Sequence, residues 1–191
     1  TADKTDQNCD GKEVCWVDTD GDSYGDELLT VLSDDLDCRD AGEAKNNEDC
    51  DDSAAEVYPG AEEVISNRVD DDCDGLELCY TDSDGDGFGN DSGASSSSSD
   101  LDCKDAGESK TSDDCNDLSI EVNPDAIELA ADATDQNCDE LELCYEDIDE
   151  DGHGTSTELL TSDLSCSETG VSTLANDCDD QEATVNLDAT E

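Results

Sequence analysis

The cysteines of this chain recur in the same order along three successive stretches of sequence. Equivalent cysteines lie 63–65 residues apart. Such repetition indicates an array of small units, each of which contacts mainly its neighbours. We expect repeat 1 at residues 12–75, repeat 2 at 76–140 and an incomplete repeat 3 at 141–191, with residues 1–11 carrying the closing phrase of a further repeat. The aligned cysteines are Cys15, Cys38, Cys50 and Cys73, then Cys79, Cys103, Cys115 and Cys138, then Cys144, Cys166 and Cys178.

The charge of the chain excludes an ordinary hydrophobic fold. Its 191 residues include 59 Asp and Glu but only 7 Lys and Arg, which gives a net charge of −52, and 32% are hydrophobic. Because self-repulsion of this size opposes compaction, covalent bridges and bound cations have to replace a core. We therefore expect an irregular, loop-rich repeat array with short strands and helical turns, stabilised by calcium and disulfides rather than by a hydrophobic core.

The cysteines are expected to form disulfides rather than zinc sites. The chain has no Cys-x-x-Cys pair and a single histidine, His153, so sets of zinc ligands cannot be assembled. Regularly spaced cysteines in an acidic chain are typical of oxidising compartments, which predicts a secreted or cell-surface protein. The chain begins without Met or an apolar leader and reads as a mature or excised piece. Membrane insertion and nucleic-acid binding are not expected, because no segment is apolar enough and the acidic surface repels phosphates.

Secondary structure is only sparsely indicated. The alternating Leu-Glu-Leu-Cys-Tyr segments at residues 76–80 and 141–145 predict short strands. Residues 61–64 and 125–131 follow Pro59 and Pro124 and predict one or two helical turns each. No long element is expected.

Three Asp-x-Asp-x-Asp loops give the strongest site prediction. Alternate carboxylates on a tight loop can all turn towards one hard cation, and the seventh position usually adds a backbone carbonyl. In the twelve-residue calcium loop of an EF-hand, the twelfth position is normally Glu. Here that position is Leu29 in repeat 1 and Gly93 in repeat 2, so a further carboxylate ligand has to come from elsewhere in the chain. The candidates for it are Asp35, Asp100 and Asp163, or Asp37 and Asp102. The predicted loop ligands are Asp18, Asp20, Asp22 and Tyr24, then Asp82, Asp84, Asp86 and Phe88, then Asp147, Asp149, Asp151 and His153.

A second metal cage is predicted in the latter half of each repeat, where acidic residues flank two cysteines. In repeat 3 this cage is incomplete, and only Asp6 and Asp10 of another copy could finish it. The alternative for the three Asp-x-Asp-x-Asp loops is a merely solvated acidic loop. The predicted ligands are Asp49, Asp51, Glu63, Asp70 and Asp74 in repeat 1, Asp114, Asn116, Glu128, Asp135 and Asp139 in repeat 2, and Asp177, Asp179 and Glu191 in repeat 3.

The ends of the chain leave two interpretations open. Residues 5–11, TDQNCDG, closely match residues 134–140, TDQNCDE, which close repeat 2, whereas repeat 3 has no such phrase. The chain is either a fragment of a longer array or a subunit of a head-to-tail homopolymer, in which residues 1–11 of one copy complete repeat 3 of the next. Glycans are a further possibility, on Asn90 in an Asn-x-Ser sequon or on Ser95–Ser99.

The segment DCDDSAAEVYPGAEEVISNRVDDDCDG resembles the metal-binding motif of secreted bacterial surface proteins of the MopE type, although Leu187 replaces the motif's proline in repeat 3. The Asp-rich loops are also similar to thrombospondin type 3 repeats, in which calcium and sequential disulfides replace a core. The thrombospondin resemblance implies five disulfides within the chain and leaves Cys178 to pair with Cys9 of a neighbouring copy. An alternative pairing, which begins Cys9–Cys15 and Cys38–Cys50 and uses every cysteine within one chain, stays open. The pairs implied by the resemblance are Cys15–Cys38, Cys50–Cys73, Cys79–Cys103, Cys115–Cys138 and Cys144–Cys166.

Together these features favour an extracellular calcium-binding structural repeat protein that forms a stalk, fibre or filament. The alternative is a calcium-dependent adhesin, buffer or mineral-binding module. An enzyme is not expected, because a catalytic carboxyl group with a raised pKa needs an apolar pocket. The single Trp, the single Phe and the four Tyr are too few to build one.

Overall fold

The computed structural model describes residues 2–189, and each repeat contains one small antiparallel sheet. In every sheet the strand that carries the first cysteine of the repeat lies between two other strands. The first sheet, in the order β2-β1-β3, has β1 Val14–Val17, β2 Thr30–Leu32 and β3 Glu43–Ala44; the second, β5-β4-β6, has β4 Glu77–Thr81, β5 Ser95–Ser98 and β6 Glu108–Ser109; the third, β8-β7-β9, has β7 Glu142–Glu146, β8 Glu158–Thr161 and β9 Val171–Ser172.

The strands predicted at residues 76–80 and 141–145 are confirmed as β4 and β7, each displaced by one residue. The chain divides into two compact units, one of Thr1–Tyr80 with Ser95–Lys110 and the other of Thr81–Ala94 with Thr111–Glu191. The boundary therefore falls inside repeat 2, and the repeat limits given above stay a prediction.

The interior consists mainly of cystines and carboxylates. Apart from cysteines, the buried hydrophobic residues are Ala44, Val57 and Val122, whereas Leu118 is 85% exposed and Leu28 is 84% exposed. This agrees with the expectation that no hydrophobic core supports the fold. The buried acidic residues are Glu13, Asp18, Asp49, Asp71, Glu77, Asp82, Asp114, Asp117, Glu142, Asp147 and Asp180.

Five disulfides follow the sequential register that the thrombospondin resemblance implied, so the alternative register is wrong. They join cysteines 22–24 residues apart, and loop closure of this length is worth about 3 kcal/mol per bridge in the chain-entropy model. Cys9 and Cys178 are free and exposed. The five pairs are Cys15–Cys38, Cys50–Cys73, Cys79–Cys103, Cys115–Cys138 and Cys144–Cys166.

The predicted helical turns are wrong, and no helix is present among residues 2–189. In repeat 1 the N–H of Ala61 donates to the carbonyl of Tyr58 and closes a single turn. The N–H of Val64 then donates to the Asp71 carboxylate at 2.9 Å instead of to a preceding carbonyl. Because side-chain acceptors capture the next donors, the turn does not propagate.

Within residues 2–189, no helix is long and apolar enough to cross a membrane.

A fully buried glutamate at the start of β4 and of β7 anchors the preceding loop to the strand. The N–H of Ser66 donates to Glu77 Oε1 at 3.1 Å, and the N–H of Ala131 donates to Glu142 Oε1 at the same distance. Ser66 and Ala131 both have left-handed backbones, with φ of 62° and 63°. This conformation turns backbone N–H groups towards one anion, as in a nest. Burial raises the pKa of Glu142, and hydrogen bonds from these N–H groups oppose the rise.

The disulfide frame generates a stability prediction. The double variant Cys144→Ser/Cys166→Ser is expected to lose about 3 kcal/mol of unfolding free energy, because its unfolded chain regains the freedom of an open loop. Guanidinium unfolding at fixed calcium concentration measures the change. Cys178→Ser is the matched control when both proteins are unoxidised monomers, since it then removes only an exposed free thiol and should stay within about 0.5 kcal/mol of the parent. Equal losses in the two proteins would contradict the account.

Candidate metal centres

The first Asp of each Asp-x-Asp-x-Asp loop closes the loop by accepting backbone hydrogen bonds. In repeat 1 the Asp18 carboxylate accepts from the N–H of Gly21 at 2.7 Å and from the N–H of Ser23 at 3.1 Å. Both donors have left-handed backbones, with φ of 90° and 85°. Glycine adopts this conformation freely, whereas Ser23 does so at a cost of about 1–2 kcal/mol. The closed loop keeps its alternate carboxylates together.

Residues 49–52, the DCDD segment of repeat 1, contact this loop through backbone and side-chain hydrogen bonds. The N–H of Asp49 donates to the carbonyl of Gly25 at 3.2 Å, and the N–H and hydroxyl of Thr19 donate to Asp52 at 2.8 and 2.6 Å. Gly25 allows this approach because a Cβ there would lie 2.7 Å from Trp16 Cβ and from a backbone oxygen. The carboxylate that the loop lacks is therefore supplied from about 30 residues further along the chain.

Each repeat thus has a cage of five carboxylates. Asp18, Asp20 and Asp22 present oxygens within 4.8 Å of one another, and so do Asp20, Asp49 and Asp52. Repeats 2 and 3 have the same connections. The backbone N–H of Asp114 donates to the carbonyl of Gly89, and that of Asp177 donates to the carbonyl of Gly154. The carboxylates of Asp117 and Asp180 accept from backbone N–H groups of the loops. We name these clusters the triplet cages. Their members are Asp18, Asp20, Asp22, Asp49 and Asp52, then Asp82, Asp84, Asp86, Asp114 and Asp117, then Asp147, Asp149, Asp151, Asp177 and Asp180.

The triplet cages contain buried carboxylate oxygens that lack a hydrogen-bond partner among residues 2–189. Burial raises the pKa of Asp22 and Asp49, and the neighbouring aspartates raise it further. The pKa values of Asp84, Asp114 and Asp149 are raised for the same reasons. Buried polar atoms are normally hydrogen-bonded, so these oxygens need a positive partner. The atoms are Oδ2 of Asp20, Asp22, Asp49, Asp84, Asp114, Asp149, Asp177 and Asp180, and Oδ1 of Asp147.

The third carboxylate of the loop has a different neighbour in repeat 1. Asn123 donates to Asp86 at 2.8 Å, and Asn186 donates to Asp151 at 2.6 Å. The equivalent residue in repeat 1 is Tyr58, which stacks on Tyr24 with ring centroids 5.5 Å apart. Asp22 Oδ2 consequently lacks the amide donor that its two counterparts have. The carbonyl ligands predicted at the seventh position of each loop stay a prediction.

A second acidic cluster lies in the latter half of repeat 1. Glu63, Asp70 and Asp72 present oxygens within 4.8 Å of one another. The Asp70 carboxylate accepts from the N–H groups of Asp74 and Gly75 at 3.0 and 2.9 Å. Like Asp18, it accepts from the N–H five residues further along the chain. Residues 70–74 are therefore another Asp-x-Asp-x-Asp loop, with Cys73 at one of its variable positions.

The same loop recurs at residues 135–139 and 6–10. Asp135 accepts from the N–H groups of Asp139 and Glu140, and Asp6 accepts from those of Asp10 and Gly11. Glu128, equivalent to Glu63, accepts from two backbone N–H groups of the loop of repeat 2. Its buried Oε1 has no hydrogen-bond partner within residues 2–189. Burial raises the pKa of Glu128, and nearby carboxylates add to the rise.

Two assignments of the sequence analysis need correction. Asp49, Asp114 and Asp177 lie in the triplet cages rather than with Glu63 and its counterparts, because their N–H groups bond to the glycine after the loop. Asp51, Asn116 and Asp179 are exposed, since the next aspartate in each segment turns towards the loop. The carboxylates proposed beside the mid-repeat cysteine cap their own turns; Asp163, for example, accepts from Ser165 and Ser167, which lowers its pKa. Glu191 lies outside the described residues.

The predicted ligands omit one position of the second cluster. Asp72 and its counterpart Asn137 occupy the middle of the second loop, and the Asp-x-Asp-x-Asp spacing could have found Asp72 despite the intervening Cys73. The sequence groups Asp52, Asp117 and Asp180 with the second cage, because they follow its cysteine by two residues. Hydrogen bonds from Thr19, Ser83 and Ile148 place them in the triplet cages instead. Cys50 and Cys73 also lie near Asp49, but they are bonded to each other and offer no thiolate.

Comparison with known families supports the division into loops. The Cu-binding_MopE family model, described as "Putative metal-binding motif", matches residues 1–13, 49–76, 114–141 and 177–191. These matches cover the DCDD segments and the loops at residues 6–10, 70–74 and 135–139, whereas the first Asp loop of each repeat lies outside them. Comparisons with curated proteins and with solved structures gave no match. The chain thus contains four matches to this motif, two long and two shorter.

Proposed function

We propose that this protein is an extracellular, calcium-binding structural repeat protein that serves as a stalk, fibre or filament. The observation that carries the proposal is the triplet cage itself: five carboxylates, several with buried oxygens that lack donors, recur in all three repeats. A cation in each cage would offset the repulsion among them. The second clusters, around Glu63 and Glu128, would hold further cations.

The donor set favours calcium over copper, the metal for which the family is named. The cages offer carboxylate oxygens, which suit hard cations, whereas copper prefers imidazole, thiolate or thioether ligands. The chain has one histidine and no methionine, and ten of its cysteines are in disulfides. Calcium accepts six to eight oxygens in a flexible geometry, while magnesium requires a near-ideal octahedron. A clustered, irregular set of carboxylates fits calcium better.

A structural role outside the cell fits the remaining features. Five disulfides persist in oxidising compartments and not in a reducing cytosol. The buried carboxylates cluster for cation binding rather than lining an apolar catalytic pocket, so no enzymatic activity is proposed. If each chain bound many more calcium ions than it has cages, a buffer or mineral-binding role would be favoured instead.

Calcium binding should depend on the triplet cages and not on total charge. Asp84→Asn removes one carboxylate of the repeat 2 cage and is expected to weaken one calcium site about tenfold, equivalent to ~1.4 kcal/mol. Isothermal titration calorimetry with calcium measures the change. Glu121→Gln removes the same charge from an exposed carboxylate and should change no site by more than about twofold. Indistinguishable isotherms for the two variants would count against the cage.

Stability should change with pH in opposite directions in the calcium-free and the calcium-bound protein. Because folding raises the pKa values of Asp22, Asp49, Asp84, Asp114 and Asp149, the calcium-free folded chain takes up protons more readily than the unfolded chain. Its unfolding free energy should therefore rise as the pH falls from 7 towards the ordinary carboxyl pKa of about 4. In calcium it should fall, since protons compete with the cation. Denaturant midpoints at several pH values test this, and slopes of the same sign in both buffers would contradict it.

We further propose head-to-tail assembly through Cys178 and Cys9. Both thiols are exposed, and Cys9 has φ of 61°, close to the 57° and 58° of the bonded Cys73 and Cys138. The loop closed by Asp6 has the same hydrogen bonds as the loop closed by Asp70. Residues 6–11 thus have the local conformation that a partner for repeat 3 requires, and such a contact does not close on itself.

Assembly predicts a covalent ladder on non-reducing electrophoresis after mild oxidation in calcium. Cys9→Ser and Cys178→Ser should each abolish the ladder, and a mixture of the two variants should yield dimers only. A parent protein that remains monomeric, or dimers that form in Cys178→Ser alone, would rule out this pairing.

A further inference from the structure

Glu77, the first residue of β4, is fully buried and has one carboxylate oxygen without a partner. The residue is 0% exposed. Oε1 accepts the N–H of Ser66, whereas Oε2 has no hydrogen-bond partner within residues 2–189. A buried charged oxygen without a donor is costly, so this oxygen needs a proton or a cation beside it. Glu77 is not among the predicted metal ligands, and it lies one residue beyond the family-model match at residues 49–76.

A small cavity brings Glu77 together with the second acidic cluster of repeat 1. The cavity has a volume of about 120 Å³, and Glu63 and Asp72 of that cluster line it together with Glu77. Asp74 of the same loop also lines it, and none of the lining residues in the described part of the chain is basic. All of these residues belong to one compact unit. The space can admit a hydrated cation, since one water molecule takes up about 30 Å³ in the liquid.

Backbone hydrogen bonds fix both glutamates beside this loop. The N–H of Ser66 donates to Glu77 Oε1 at 3.1 Å and to the carbonyl of Leu78 at 2.8 Å, so the segment after Glu63 lies against β4. Two backbone N–H groups of the loop donate to the oxygens of Glu63, at 3.4 and 3.3 Å. Two glutamates, one from each of two successive repeats, are therefore held at the same loop.

The end of repeat 2 has the same arrangement at Glu142, the first residue of β7. Glu142 is also 0% exposed, and the N–H of Ala131 donates to its Oε1 and to the carbonyl of Leu143. Oε1 of Glu128 is a further buried oxygen without a partner among the described residues. Burial raises the pKa of Glu128, and the negative charge of Glu142 raises it further. The pairing of a loop glutamate with a strand glutamate is therefore a repeated feature.

We infer that Glu77 is a calcium ligand that completes the second acidic cluster of repeat 1. This inference rests on the proposed calcium function, because the cation is the one proposed for that cluster. Oε1 of Glu77 keeps its hydrogen bond from the preceding loop, while Oε2 joins the three carboxylates of the cluster around the cation. Calcium accepts six to eight oxygens, so four carboxylates together with water can satisfy it. Glu142 is expected to have the same role in the cluster of Glu128.

This set of ligands joins two successive repeats. The cluster belongs to the loop that ends repeat 1, and Glu77 belongs to the first strand of repeat 2. Cys73 and Cys79 lie on either side of the connecting residues 74–78, and each is bonded to a cysteine of its own repeat. None of the five disulfides spans this connection. A cation bound by both the loop and β4 therefore stiffens the array at a junction that the disulfides leave open.

The test replaces Glu77 with glutamine in the full chain. Glu77→Gln keeps an acceptor for the N–H of Ser66 but removes the charge and the second carboxylate oxygen. In a calorimetric calcium titration it is expected to weaken one site about tenfold, because the site loses an anionic ligand. Glu62→Gln is the matched control, since it removes the same charge from an exposed residue beside Glu63 and should change no site by more than about twofold.

Denaturant midpoints distinguish a ligand from a structural glutamate. In chelator, Glu77→Gln should unfold at the same or a higher denaturant concentration than the parent, because a buried charge without a partner has been removed. In calcium it should unfold at a lower concentration, because the cation is held less tightly. Glu63→Gln should weaken the same calcium site, so the double variant of Glu63 and Glu77 should affect one site in all.

The outcomes separate this inference from the proposed function. A loss of stability of Glu77→Gln in both buffers would indicate a purely structural glutamate, and a calcium titration like that of Glu62→Gln would indicate a protonated one; either overturns the ligand role. If the double variant weakens two sites, Glu63 and Glu77 do not share a cation and the inference is wrong. A parent that binds no calcium overturns the proposed function itself.

Discussion

Repulsion among buried carboxylates is the interaction on which the rest of this structure depends. Each triplet cage holds five aspartates, and two like charges about 5 Å apart repel by about 3 kcal/mol at an effective dielectric constant of ~20. Backbone N–H groups offset part of this cost at Asp18 and Asp82. Oxygens such as Asp49 Oδ2 and Asp114 Oδ2 have no such donor in the described part of the chain. A divalent cation would offset two of the five charges and give these oxygens the positive partner that they lack.

The disulfides and glycines make such clusters possible without a hydrophobic core. Cys50, bonded to Cys73, connects the DCDD segment to the second Asp loop, so one bridge lies between the two acidic clusters of repeat 1. Cys15, bonded to Cys38, fixes the strand that precedes the first loop. Gly25 then permits Asp49 to approach that loop. Covalent bonds and bound cations would therefore stabilise the same segments.

Local patterns predicted the parts of the site that depend on neighbouring residues. The spacing of Asp82, Asp84 and Asp86 fixes a loop whose first carboxylate accepts from its own backbone, and the alternation at β4 fixes a short strand. Sequence could not assign Asp114, because its place depends on a bond to Gly89, 25 residues earlier. The expected helical turns failed for a related reason: Asp71, a side chain distant in sequence, takes the donor that a helix would use. The disulfide register came from family resemblance, since spacing alone allowed two solutions.

The most direct test of the central claim compares the disulfide-intact chain in calcium and in chelator. Near-UV circular dichroism follows the ordering of Trp16 and the tyrosines, and limited proteolysis follows the ordering of the Asp loops. If the cages require cations, chelation should weaken the near-UV signal and speed cleavage of the Asp loops, and calcium should restore the signal and the protease resistance while the disulfides remain closed. An unchanged spectrum and unchanged protease resistance in chelator would contradict the account.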